Sequence, residues 1–241
     1  MMYDRELENA VVVDFPLRGE WITLNTPARR IPSHGTDLFG QRYAYDFLKL
    51  HKGKPFKGSV LKYILLGIPV RNCYCWKKEI YACLEGEVVE AIDGVKEPDR
   101  VHPIYDFIRM LIKSAQTSKQ LARPDKYDFH SHTLAGNYII IKHDGFFSFY
   151  AHLHHGTVAV KTGQRVREGD YLGRVGHTGN STSPHQHFHL MDSEKPMQAK
   201  GIPCSFRELE VQEEEGWRKV AGAIPEYGKT IRRADGIQQP T

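Results

Sequence analysis

The chain has 241 residues, 40% hydrophobic and 26% charged, proportions that exclude a disordered or fibrous polymer and suit a soluble globular fold. Its net charge of +4 is scattered, with no basic stripe interleaved with aromatics, so nucleic acid is not an expected partner. Four cysteines at this length do not make a disulfide scaffold; the C-x-C pair Cys73 and Cys75 is a weak zinc signal, and buried free thiols are expected there and at Cys83 and Cys204.

The N-terminal stretch MMYDRELENAVVVDF carries acidic residues where a secretory signal needs cations, and its apolar run is too short for a signal core or a membrane span. The expectation is a chain outside the usual export route: cytoplasmic as written, extracellular or cell-wall-bound if a leader has been removed. From Val11 to Asn25 the pattern predicts short extended segments broken by Pro16 and Gly19. TPARRIPSHGTDLFGQ reads as loop, YAYDFLKL as a strand ending at or soon after Asp46, HKGKPFKGS as loop, and IYACLEGEVVEAIDG as strand, glycine turn, strand. Residues 97–133 break this rhythm. Ile104, Phe107, Ile108, Leu111 and Ile112 recur at helical spacing after Pro103, which predicts a helical insertion between two strand-rich halves. Strands resume with NYIIIKHDG and FFSFYAHL, joined at Asp144-Gly145, a hairpin signal. VAVKTGQRV, YLGRVGHTGNS and HQHFHLM follow at the turn-punctuated spacing of a sandwich or barrel, and FRELEVQ predicts a last strand before a polar tail.

In SPHQHFHLM, three histidines occupy alternate positions. A strand has period two, so His185, His187 and His189 share one face, while Gln186, Phe188 and Leu190 share the other, more apolar one that meets the core. Imidazole is the commonest protein ligand for zinc, and HxH on a strand delivers two nitrogens to one place. By itself the motif is as consistent with a surface cluster as with a metal site. His152, at the end of another strand, and His34, Asp37 and Asp46, upstream, add further donors.

YAHL, GQRVREGDYLGRVGHTGNSTSPHQHFHL and IYACLEGEVVEAIDG together resemble the lysostaphin-type zinc endopeptidases, also called the LytM family, over roughly residues 19–203. The resemblance implies a mainly β fold: a twisted antiparallel sheet forming an open barrel or sandwich with one helical insertion. It implies one lysostaphin-type domain across 1–241, with core at 19–96 and 134–205, the insertion at 97–133, and a C-terminal strand and tail at 206–241. It implies hydrolysis of peptide bonds in a peptidoglycan stem or cross-bridge by zinc-activated water, with no membrane span; it is silent on oligomeric state. His187 and Asp46 would be zinc ligands, His185 and His152 catalytic. The family usually places its first ligand four residues before the aspartate, where this chain has Arg42, a residue that stays protonated and cannot bind zinc. His34, upstream in a glycine-containing loop, is the expected replacement.

Among the other polar groups, Asp37 is expected as an ordinary loop carboxylate, His189, His130, His132 and His143 as exposed, His154 and His155 as a solvated turn, and His177 as a rim of the cleft. The groove is expected over the HxH face, walled by the loops around His34, at 49–59 and after Gly176, with the insertion narrowing one end. Two alternatives stand beside an active peptidase. One is a catalytically degenerate binding or regulatory module of the same fold, which Arg42 favours and the retained His152, His185, His187 and Asp46 disfavour. The other is a carrier or phosphotransfer domain, in which a histidine carries a phosphoryl group but Asp46 and a third histidine are superfluous.

Overall fold

A computed structural model describes residues 6–121 and 132–234. In chain order, β1 (Val11–Val13), β2 (Trp21–Asn25) and β3 (Tyr45–Leu48) are followed by α1 (Val60–Leu66), β4 (Ile68–Pro69), β5 (Glu79–Tyr81), β6 (Gly86–Ile92) and β7 (Arg100–Val101). Within and just beyond the stretch 97–133, expected as a helical insertion, β7 is followed by α2 (Pro103–Leu121) and the short α3 (His132–Ala135). The second half gives β8 (Asn137–Lys142), β9 (Phe147–Leu153), β10 (Arg165–Val166), β11 (Tyr171–Arg174) and β12 (Gln186–Met191), then β13 (Gly201–Ile202), β14 (Cys204–Glu213), β15 (Gly216–Ala223) and β16 (Thr230–Arg233).

Among the described residues, one large sheet runs β1-β14-β16-β2-β3-β12-β9-β8-β6-β10, with β13 on β12 and β15 on β14; the order does not close on itself. Its pairs are antiparallel except β1 with β14. The fold is therefore mainly β and open. Two stretches add elements that the sequence pattern does not name. Residues 60–66 form a helix, and the polar end beyond FRELEVQ holds β15 and β16, whose ladders extend β14. Alternation on β15 is weak because much of it is exposed, which hides it from pattern reading.

Local chemistry explains the elements that frame the cleft. The β8–β9 hairpin turns at Gly145 with φ +84°, and the His143 N–H donates to the Phe146 carbonyl at 2.8 Å. Pro103 starts α2, and Asp106 accepts from the backbone N–H of His102 at 2.7 Å, satisfying one of the donors that a helix start leaves free. β12 is buried along its whole length. Its Phe188 and Leu190 enter the main core with Phe15, Tyr45, Phe47 and Phe206, where Phe15 meets Phe47 edge-on at 5.1 Å.

Candidate metal and active site

The site is a consequence of strand register. β12 lies between β3 and β9, and His187 stands directly opposite Asp46 on one side and Ala151 on the other. Cross-strand partners lie within side-chain reach, and His187 Nδ1 is 2.9 Å from Asp46 Oδ1. On β9, ordinary alternation would send Ala151 and His152 to opposite faces. His152 instead has φ +64°, a conformation costing a non-glycine residue of order 1 kcal/mol, and both residues line the cleft.

The loop holding His34 folds back onto Arg42. The Ser33 N–H donates to the Arg42 carbonyl at 2.9 Å, so His34 stands beside the position where the resemblance puts the first ligand. Its Nε2 lies 2.9 Å from Asp46 Oδ2, and its Nδ1 3.0 Å from Ser33 Oγ. The Arg42 guanidinium is engaged elsewhere: it donates to Asp37 at 2.7 Å and to both carboxylate oxygens of Glu6 at 3.1 Å. Asp37 is thus a loop carboxylate, as expected.

Asp46 is 7% exposed. It also accepts from Asn25 Nδ2 at 2.6 Å, and His185 Nε2 is 3.4 Å away. Burial alone would raise its pKa; the charges of His34 and His185 and the hydrogen bonds of His185 and His187 outweigh this and hold the carboxyl well below its usual range. Burial pushes His152, His187 and His189 down, while for His185 the attraction of Asp46 overcomes burial and raises it. His152 Nδ1 faces the Thr178 carbonyl at 2.9 Å, and His185 Nδ1 the Ser183 carbonyl at 2.7 Å. A carbonyl only accepts, so both rings carry hydrogen on Nδ1 and leave Nε2 for other work. The two rings are 4.8 Å apart between centroids.

Two donor sets overlap at His187: His34, Asp46 and His187, and His152, His185 and His187. Within each, the donor atoms lie within 4.8 Å of one another. Corners of a tetrahedron with bonds of about 2.1 Å are about 3.4 Å apart. Two imidazoles and one ionised carboxylate at this spacing fit a zinc-sized cation with a coordination position to spare.

The surrounding cleft is about 430 Å³. The loop after Gly176 and the loop at His34 wall it, as expected, but residues 49–59 do not; Met110, Ser114 and Thr117 of α2 do. α2 grips the turn before β12. Arg109 donates to the Ser181 carbonyl at 2.9 Å and Lys113 to that of Gly179 at 3.0 Å. The turn reaches this far because a Cβ at Gly179 would strike the Leu134 carbonyl, and one at Gly136 the Thr178 side chain. The sequence held one sign of this grip: Asp106, Arg109, Lys113 and Thr117 recur at helical spacing opposite the apolar stripe.

Several histidines sit elsewhere than expected. His189 is buried at 2% exposure, stacked on Phe149 at 4.9 Å and 3.1 Å from His187 Nε2, because β12 is covered on both faces. His143 is buried, its ring held by the Glu85 carbonyl and Ser148. His177 lies beneath α2, 3.7 Å from Asp106 and hydrogen-bonded to Ser181, and does not rim the cleft. His154 is hydrogen-bonded to Glu97, whose carboxylate also accepts from Trp76 and the His177 N–H; His155 lies near Asp93. His130 is outside the described residues, and His132 opens α3. All four cysteines are buried and free.

Residues 126–199 match Peptidase family M23. The peptidoglycan DD-endopeptidase ShyA of Vibrio cholerae is 38% identical over 69 residues, 29% of this chain and 16% of that protein. The cell division protein DipM of Caulobacter vibrioides is 43% identical over 56 residues, 23% of this chain and 9% of that protein. The chain thus aligns with under a fifth of the length of either relative. Among solved structures, a zinc containing peptidase from Vibrio cholerae aligns over 75% of this chain and 37% of its own at 19% identity, with TM-score 0.35. The catalytic domain of lysostaphin from Staphylococcus simulans aligns over 76% and 88% at 18% identity, with TM-score 0.34. The matched stretch 126–199 carries HxH and the turn before it, and over that stretch the chain is similar to peptidase family M23.

Proposed function

We propose that the cleft is the active site of a zinc-dependent endopeptidase acting on peptide bonds of peptidoglycan. The observation that carries this is the cross-strand pair Asp46 and His187, completed by His34 at 2.9 Å from the carboxylate in the place Arg42 vacates. His34, Asp46 and His187 would hold the ion. A zinc ion bound there supplies Lewis acidity toward the scissile carbonyl and makes water nucleophilic near neutral pH.

The chain's own groups supply the rest. His152, with Nδ1 committed to Thr178, presents Nε2 as the acceptor for the proton of the attacking water. His185, with Nδ1 committed to Ser183, presents Nε2 to the charge that develops on the carbonyl oxygen, and its proton suits the leaving amine. Phe149, Leu134 and Met110 limit the access of bulk water to that charge, and Asn180 and Thr182 offer polar contacts to a peptide backbone. The substrate class rests on the names of the relatives.

The test is digestion of purified peptidoglycan, followed as released soluble peptide fragments, with chelator and with zinc restored. Release that is lost on chelation, regained with zinc, and abolished in a His152→Ala variant that still holds the metal is the expected result. A wild-type chain that binds one zinc and releases nothing would instead assign it to the degenerate binding modules.

A further inference from the structure

We infer that the outer faces of α1 and α2 form a docking surface for an anionic lipid bilayer. α2 is an amphipathic helix turned inside out. Its polar stripe of Asp106, Arg109, Lys113 and Thr117 faces the protein, while Ile104, Phe107, Ile108, Leu111 and Ile112 face outward, each 50–56% exposed. α1 contains no buried residue; Tyr63 anchors it on Phe56 at 4.5 Å between rings. Leu61, Leu65 and Leu66 are then left 64–67% exposed.

The two faces belong together. Arg100, immediately before α2, donates to the carbonyls of Leu66 and Gly67 at the end of α1, both at 2.9 Å, and His102 lies 3.4 Å from the Leu65 carbonyl. Soluble surfaces rarely leave so many large apolar side chains contiguous without a use.

Charge selects the occupant. Between Asp46 and Glu79 the sequence has no Asp or Glu, whereas Lys52, Lys54, Lys57 and Lys62 all stand exposed in and just before α1. The one carboxylate of the described part of α2, Asp106, is 1% exposed and paired with Arg109 at 3.0 Å. Aliphatic and aromatic side chains flanked by a run of exposed lysines are what the headgroup layer of an anionic membrane accommodates: apolar groups enter the acyl boundary and ammonium groups meet phosphates. The inner face of α2 lines the cleft through Met110, Ser114 and Thr117, so docking sets the cleft beside the bilayer surface. No step of the peptidase reading depends on this.

The test is co-sedimentation of the full chain with vesicles of phosphatidylcholine alone and of phosphatidylcholine with phosphatidylglycerol. Binding is expected only to the anionic vesicles, from a monomer, and falling with salt. Each near-surface lysine is worth about fivefold in partitioning, so Lys57→Glu with Lys62→Glu should lower binding about 25-fold or more. Leu65→Ser with Ile108→Ser should lower it at least tenfold while leaving the circular dichroism melt in place, since both side chains are exposed. Equal binding to both vesicle types, or none to either, overturns the proposal. So does a dimer in sedimentation velocity that the Leu65→Ser, Ile108→Ser variant abolishes, which would assign the surface to a second copy of the chain.

Discussion

Replacing His34 by alanine distinguishes between two metal sites that share His187. The first set, His34, Asp46 and His187, loses one of three protein donors; the second, His152, His185 and His187, loses none. Zinc bound by four ligands contributes about 10–16 kcal/mol in small structural sites, or about 2.5–4 kcal/mol per donor, which is about 10²- to 10³-fold in affinity. The loss should fall in that range, because nothing replaces the imidazole: Arg42 is bound to Glu6 and Asp37, and Asn25 already donates to Asp46. The assay is competition for zinc against a chromophoric chelator, beside elemental analysis of untagged protein. A His152→Ala variant is the reciprocal control and should keep zinc affinity within a few-fold. Wild-type affinity in His34→Ala together with lost affinity in His152→Ala would place the ion on the second set and refute the assignment of His34.

Three further outcomes follow from the same packing. Phe188 is fully buried on the face of β12 opposite His187, so Phe188→Ala should destabilise the chain by about 3–5 kcal/mol in urea unfolding; a loss below about 1 kcal/mol would mean that β12 is not packed as described. Burial holds His152, His187 and His189 below their ordinary values, so below about pH 6.5 the unfolded chain binds protons that these rings refuse. Stability of the chelator-treated chain should then fall toward acid, by up to about 1.4 kcal/mol per pH unit for each such ring. His185, raised by Asp46, contributes in the opposite sense, fully below about pH 6.5, and Asp46 keeps its contribution down to about pH 4, so a flat or acid-rising profile between pH 8 and 5 contradicts the burial of the three rings. Burial pushes the thiols of Cys73, Cys75 and Cys83 up to about 12, so at pH 8 the native chain should react with a thiol reagent about a thousandfold more slowly than the unfolded one; rapid labelling of any of the three would show that the segment around it opens.

Much of the site was legible without coordinates because it depends on local rules. Period-two alternation separates His187 from Phe188, and the structure puts one at the cleft and the other in the core. The turn residues between Gly176 and His185 announce a close backbone approach, and Gly179 packs against the Leu134 carbonyl. His34 was reachable through the resemblance and chemistry together: an arginine cannot take the ligand's place that the resemblance marks, and His34 is the nearest histidine upstream. Its location beside Asp46, however, rests on the loop folding back so that Ser33 bonds the carbonyls of Arg42 and Gln41, which no local pattern encodes.

Other features escaped for reasons that are physical too. His189 lies on the same face as His187, but whether that face meets solvent depends on what covers it, here Phe149 and the loop at Gly40. His143 was expected at the surface and His177 at the cleft rim because polarity predicts exposure, until a buried carbonyl or hydroxyl satisfies them. The division of labour between His152 and His185 was open because both are simply histidines in one dimension. The carbonyls of Thr178 and Ser183 give both rings the same tautomer, and the two differ in that His185 Nε2 lies 3.4 Å from Asp46.

By itself the sequence determined the mainly β character, the helix near residues 104–112 and the hairpin at Asp144-Gly145, since each follows from short-range spacing; the donor inventory of His34, Asp46, His152, His185 and His187 came from the family resemblance. Only the tertiary structure decided which donors meet, because Asp46 and His187 become neighbours through the register of β3 on β12 across a long separation in the chain. It alone decided the orientation of α2 as well. Periodicity shows that the helix has an apolar face, but which face turns inward is set by the partners on offer. Here the carbonyls of Gly179 and Ser181 draw the polar stripe to the protein and leave the apolar one outside.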